Sequence, residues 1–145
     1  MYLGEYRYSL DQKGRFVLPA KLRDNKKKIT SFILTRGLDR CLFLYPLEEW
    51  RNLEKKIREL PMAKREARGF LRLLVSGAVE SRLDRQGRLL IPKPLAHYAR
   101  IKKEVVIIGA LNRIEVWAKR NWEDYLEKSE KSFEEIAQKL VDLGI

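Results

Sequence analysis

The chain has 145 residues, a formal net charge of +11 and 45% hydrophobic residues. That length fits one domain or two small half-domains on a shared core. The apolar fraction is globular, and no apolar run approaches the roughly 20 residues of a membrane span, so a soluble, intracellular protein is expected. The charge is uneven: residues 121–145 carry seven acids against three lysines, leaving −4 there and +15 on residues 1–120. A field of that sign attracts polyanions, nucleic acid first and an anionic membrane surface second.

From the N-terminus, residues 5–10 read as a strand and Arg15–Leu18 as its hairpin partner. Asp11 suits the first position of the intervening turn, because its carboxylate accepts nearby backbone N–H groups. Gly14 takes the left-handed position without a Cβ penalty. Pro19 ends the second strand, since proline cannot donate to a ladder. Residues 20–24 predict one helical turn, and Lys26-Lys27-Lys28 an exposed loop. Strands follow at 31–36 and 41–45. Pro46 then opens a helix in the position that tolerates it, with Leu47, Trp50, Leu53, Ile57 and Leu60 as its apolar stripe. Pro61 breaks it. A second helix covers about 62–75, with Lys64, Arg68 and Arg72 on its polar side.

The plan then repeats. Residues 5–44 align without gaps on 78–117 at an offset of 73, and Leu10/Leu83, Asp11/Asp84, Gly14/Gly87, Arg15/Arg88, Pro19/Pro92 and Leu22/Leu95 are identical pairs. Strands are expected near 78–83, 88–91, 104–108 and 113–117, and a turn of helix at 95–99. A last helix begins near Trp122 and runs towards Leu143, with a break near 129–132. A repeat at fixed period marks one supersecondary unit used twice. No Ser/Gly linker separates the units, so residues 1–76 and 77–145 are expected to share a core.

Little here suggests catalysis. Cys41 is the only cysteine and sits in an apolar run, so it reads as a core residue. His97 is the only histidine, which removes zinc-ligand spacing. Neither a phosphate-binding glycine loop nor a Ser/His/Asp set is present. No enzyme activity, metal, cofactor or small-molecule substrate is expected.

The twin Asp-x-x-Gly-Arg turns are the candidate site. A tight basic ribbon can enter the major groove, and arginine bonds guanine O6 and N7 or phosphate. Lys13 and Arg15 mark the first tip, Arg85 and Arg88 the second. Arg7 lies on the incoming strand and Arg23 follows the first ribbon. Asp11, Gly14, Asp84 and Gly87 support the turns. An RNA-binding or ribosome-associated module is the alternative. It lacks the exposed aromatic pattern used to stack single strands.

Asp11-Gln-Lys-Gly-Arg15-Phe-Val-Leu-Pro19-Ala-Lys-Leu-Arg23, Cys41-Leu-Phe-Leu-Tyr-Pro-Leu-Glu-Glu-Trp50, Asp84-Arg-Gln-Gly-Arg88-Leu-Leu-Ile-Pro92 and Asn112-Arg-Ile-Glu-Val-Trp117 resemble the MraZ family of bacterial DNA-binding regulators. Each half also resembles the AbrB-type swapped hairpin. The resemblance implies an α+β fold in which two tandem halves form one pseudo-twofold β-barrel, with helices after each half. It implies a ring of several subunits that binds short direct repeats in double-stranded DNA. The family usually represses the division and cell-wall gene cluster, its own gene included. Cytoplasmic, nucleoid-associated localisation and DNA contact by Arg15 and Arg88 follow as expectations. Lys13, Arg85, Arg23 and Arg7 are additions by position.

Overall fold

The computed structural model describes residues 1–23 and 27–144. Asp24 and Lys26, parts of the expected helical turn and loop, lie outside the described residues. The first half contains β1 (Glu5–Ser9), β2 (Arg15–Val17), β3 (Ser31–Arg36) and β4 (Leu42–Pro46), followed by α1 (Leu47–Arg58) and α2 (Arg65–Ser76). The second contains β5 (Val79–Arg82), β6 (Arg88–Leu90), α3 (Lys93–Tyr98), β7 (Glu104–Ala110) and β8 (Arg113–Ala118), followed by α4 (Lys119–Lys131) and α5 (Phe133–Lys139). The chain is therefore α+β in two tandem halves.

Every strand pairing is antiparallel. Six strands form one sheet in the order β1-β7-β8-β4-β3-β5, and β2 pairs with β6 as a separate ribbon. Exchanging the halves reverses the six-strand order onto itself. The register obeys the same symmetry: Tyr6 faces Ile107, and 73 residues along Val79 faces Leu34.

This topology corrects two expectations. The sheet does not close into a barrel among the described residues. Nor is Arg15–Val17 the hairpin partner of β1, because β1 pairs with β7 and β2 with β6. The Asp11 turn still closes locally, the Asp11 N–H bonding Arg15 O at 2.9 Å. Burial decides the long-range pairing. Phe16 faces its own repeat image, Leu89, and both side chains are sealed at 1% and 0% exposure. Fully burying such side chains is worth about 1.5–3 kcal/mol each.

The main core draws on both halves: Phe16, Leu18, Phe32 and Leu44 pack in one cluster with Leu89, Ile91, Val105 and Ile114. A second cluster contains Cys41, Phe43, Tyr45, Val106 and Trp117, with the half-buried Trp50 and Trp122 packed against it. Trp122 lies on α4, whose start at Lys119 is earlier than the apolar stripe suggests. The α4–α5 break falls at Ser132, inside the expected interval.

Candidate nucleic-acid interface

The two motif loops leave opposite ends of the β2–β6 ribbon and brace one another. Leu18 N–H bonds Gly87 O at 2.9 Å, and Ile91 N–H bonds Gly14 O at 3.0 Å. Each strand end thus bonds to the glycine of the other repeat. Gly14 and Gly87 have φ of +80° and +74°, the left-handed region where a side chain is strained.

Each aspartate uses both carboxylate oxygens. Asp11 Oδ1 accepts the backbone N–H groups of Lys13 and Arg15, both at 2.9 Å. Asp84 Oδ1 accepts those of Gln86 and Arg88, also at 2.9 Å. Asp11 Oδ2 takes Arg15 Nε at 2.8 Å, and Asp84 Oδ2 takes Arg88 Nε at 2.7 Å. The pairs also cross between repeats: Arg15 Nη1 lies 3.9 Å from Asp84 Oδ2, and Arg88 Nη1 lies 3.7 Å from Asp11 Oδ2. Two carboxylates and two guanidinium groups therefore form a closed four-member ladder. A ladder of this type fixes loop geometry.

The backbone N–H of Arg15 holds the Asp11 carboxyl below its ordinary pKa, outweighing desolvation. The Arg15 guanidinium and the Lys13 N–H act in the same direction. Asp84 is lowered likewise, first by the Arg88 backbone N–H and then by the Arg88 side chain and the Gln86 N–H. Both carboxylates are therefore ionised at neutral pH, as structural anions.

The candidate residues divide into three groups. Arg15 and Arg88 are half-buried in the ladder, which engages Nε and Nη1 of each. Lys13 and Arg85 sit exposed at the loop tips, so the two tips present charge on one shared structure. Arg23 lies over the second loop: a Cβ added to Gly87 would sit 2.5 Å from Arg23 Nη1. Arg23 Nε is buried without a hydrogen-bond partner among the described residues. Its repeat counterpart is Ala96, so the loops are unequal here. Arg7 is not gathered into the ladder. Its Nη1 is held by Glu123 of α4 at 2.9 Å.

One basic region is not foreseen from the twin motifs. Arg100, Lys102, Lys103, Lys119 and Arg120 outnumber Glu104 and Asp124 in the lining of an open cleft of about 790 Å³ beside Ser9, where Lys119 pairs with Glu104 at 3.6 Å. The cleft adjoins the first motif, since Leu10 N–H bonds Lys103 O at 2.7 Å. The Arg100-Ile-Lys-Lys103 run is the available signal, and its position outside both motifs hides it.

Elsewhere the chemistry is quiet. Burial pushes the Cys41 thiol well above its usual range, and the Glu115 carboxylate adds to the shift. Among the described residues no group of three or more His, Cys, Asp or Glu side chains is placed to hold a metal. Among the same residues no helix is long and apolar enough to cross a membrane.

Residues 1–73 and 74–144 each match a family model described as "MraZ protein, putative antitoxin-like". Two proteins called "Transcriptional regulator MraZ", from Natranaerobius thermophilus and Halothermothrix orenii, are each 50% identical over 145 residues, covering the whole of both chains. A third of that name, from a Thermoanaerobacter species, is 48% identical over the same full length. With both repeats matched and relatives aligned from end to end, the chain belongs to the MraZ family.

Proposed function

We propose that this protein is a transcriptional regulator that binds double-stranded DNA through the joined face of its two Asp-x-x-Gly-Arg loops. The observation that carries the reading is the four-member ladder. Without it, two short loops would sample many orientations and bind poorly. With it, Lys13 and Arg85 extend from one preorganised base, and binding loses less conformational freedom.

Arg15 and Arg88 have two roles in this reading. Nε and Nη1 hold the ladder, while Nη2 donates to a base edge or phosphate. Lys13 and Arg85 are the outer contacts. Arg23 adds a cation over the second loop, and Lys102 and Lys103 extend the positive surface beside the first. Arg7, already paired with Glu123, contributes through the local field. The exchanged ribbon supports an AbrB-type swapped-hairpin reading of each half. Residues 1–76 and 77–145 act as two halves of one DNA-binding body.

A single loop pair contacts few phosphates and binds weakly alone. Occupying short direct repeats together, as a ring of subunits, raises the effective concentration of each later contact. The biological target we infer is the DNA upstream of the division and cell-wall gene cluster, including the protein's own gene, with repression as the outcome. The protein acts in the cytoplasm at the nucleoid.

The test is a gel-shift titration with a duplex from upstream of the protein's own gene, competed by unrelated duplex and by structured RNA at equal salt. Preference for the upstream duplex supports the reading. Preference for RNA would replace it with the RNA-binding alternative.

A further inference from the structure

The twofold plan of the fold gives both motif loops the same brace, but the side chains around them differ. Leu10 N–H bonds Lys103 O at 2.7 Å, and at the equivalent place in the other half Leu83 N–H bonds Thr30 O at 2.8 Å. Lys102 and Lys103 beside the first loop therefore stand where Ile29 and Thr30 stand beside the second. The same offset sets Lys119 and Arg120 against Pro46 and Leu47, and Asn121 against Glu48. Beside the first loop the result is the basic cleft of about 790 Å³. Beside the second is a hollow of about 350 Å³, to which Arg23 and Lys28 bring the charge that the loop itself does not supply.

The charge of the larger cleft is available. Arg100, Lys102, Lys103 and Arg120 are exposed, and no ion pair engages them among the described residues. Of the five cations only Lys119 is paired, with Glu104. The walls are also held in place. Asn121 Nδ2 bonds Ala99 O at 3.4 Å, tying the start of α4 to the end of α3, and Ile101 N–H bonds Ala96 O at 2.9 Å. A fixed concavity dominated by one sign of charge focuses the field and draws a polyanion into it.

We propose that this cleft holds the sugar-phosphate backbone of the duplex whose groove the loops enter, so that each chain sits on its DNA in one orientation. A loop in the major groove, about 12 Å wide, is bordered by a row of phosphates on either side. The row beside the first loop meets Arg100, Lys102, Lys103 and Arg120. The row beside the second meets Arg23 and Lys28. Two equal halves would bind a site the same way after a half turn, and unequal grips remove that equivalence. Phosphate contacts of this kind set register and orientation and carry no base information themselves. Direct repeats share one polarity, so a reader with a direction suits them. The inference rests on the joined-loop reading of the proposed function and adds the surface that orients it.

The test uses the full-length triple variant Lys102→Gln/Lys103→Gln/Arg120→Gln and a duplex from upstream of the protein's own gene. All three side chains are exposed, so thermal melts should match the wild type and report intact folding. The slope of log affinity against log salt should become shallower by about 0.9 for each of the three that touches phosphate. In hydroxyl-radical footprinting, wild-type protection should reach further on one flank of each repeat, and the variant should lose protection on that flank alone. A control with the same charge loss on α1 and α2, Lys55→Gln/Lys56→Gln/Arg72→Gln, should keep the wild-type slope and footprint. A wild-type slope and footprint for the cleft variant, an equal effect of the control, or protection lost evenly on both flanks would overturn the oriented grip. The joined-loop reading would survive any of these results provided Lys13→Gln/Arg85→Gln still weakens duplex binding; duplex affinity unchanged in that variant would overturn both. A cleft variant that keeps duplex affinity but loses structured RNA would assign the cleft to RNA and likewise overturn the proposal.

Discussion

Arg15 of the first repeat and Asp84 of the second, 69 residues later in sequence (84 − 15), stand 3.9 Å apart between Nη1 and Oδ2. The reciprocal pair, Arg88 and Asp11, stands at 3.7 Å. Each loop therefore depends on the other for its geometry. Arg15→Ala and Arg88→Ala should each lower affinity for the upstream duplex by roughly 5- to 150-fold, the range for removing one good base or phosphate interaction. The double variant should lose less than the product of the two, since either change already disturbs the shared ladder. Fluorescence anisotropy on the three variants measures this, and strictly multiplicative losses would mean the loops act independently.

The ladder also sets a pH dependence. Asp11 and Asp84 have folded pKa values below the ordinary carboxylate value, so their protonation is resisted by the native state. Their contribution is fully present above about pH 4, the unfolded carboxylate pKa, and is lost as pH falls through the lower folded values. Thermal melts between about pH 5 and pH 2 should show a shallower decline for Asp11→Asn/Asp84→Asn than for the wild type. Parallel curves would remove the carboxylates from the acid transition.

Leu89 is fully buried against Phe16 of the other half. Leu89→Ala should cost about 2–5 kcal/mol in denaturant unfolding, through reduced burial and the cavity left behind. The transition should remain single, because both halves contribute to one core. Two separate transitions would show that the halves fold on their own.

Gly109 is needed for space. A Cβ there would lie 2.3–2.6 Å from the backbone of Leu3. Gly109 N–H also bonds Gly4 O at 2.9 Å, and the neighbouring Tyr2 and Leu111 exchange two backbone bonds at 2.9 Å. Gly109→Ala should displace the N-terminal segment, loosen the buried Tyr2 and cost about 1–3 kcal/mol. Protection of the Leu111 amide in hydrogen exchange should fall with it. Unchanged protection would show that the segment adapts without releasing Tyr2.

Strand and helix positions are mostly legible in the sequence because local signals are strong: Pro46 before α1, glycine at both left-handed turn positions, and apolar stripes at helical spacing. The partner of β2 is not. Asp11 and Gly14 form a hairpin-like turn whichever strand pairs next, and β2 (Arg15–Val17) has two candidate partners, its neighbour β1 (Glu5–Ser9) and its own repeat image β6 (Arg88–Leu90). Only the joint burial of Phe16 and Leu89 selects the exchange. The same limit applies to the site. The sequence identifies Asp11, Arg15, Asp84 and Arg88, but their ladder exists only after the halves pair. It also carries no signal that Arg7 meets Glu123, since that interaction joins opposite ends of the chain.

Whether the joined loops form one DNA-binding face is decided by how duplex affinity varies with salt for the wild type and for Lys13→Gln/Arg85→Gln. Removing one phosphate interaction should reduce the slope of log affinity against log salt by about 0.9. If both tips touch phosphate, the slope becomes shallower by about 1.8 and the upstream duplex binds more weakly at every salt concentration. Identical slopes and affinities for the two proteins would place the DNA elsewhere on the molecule and refute the joined-loop face.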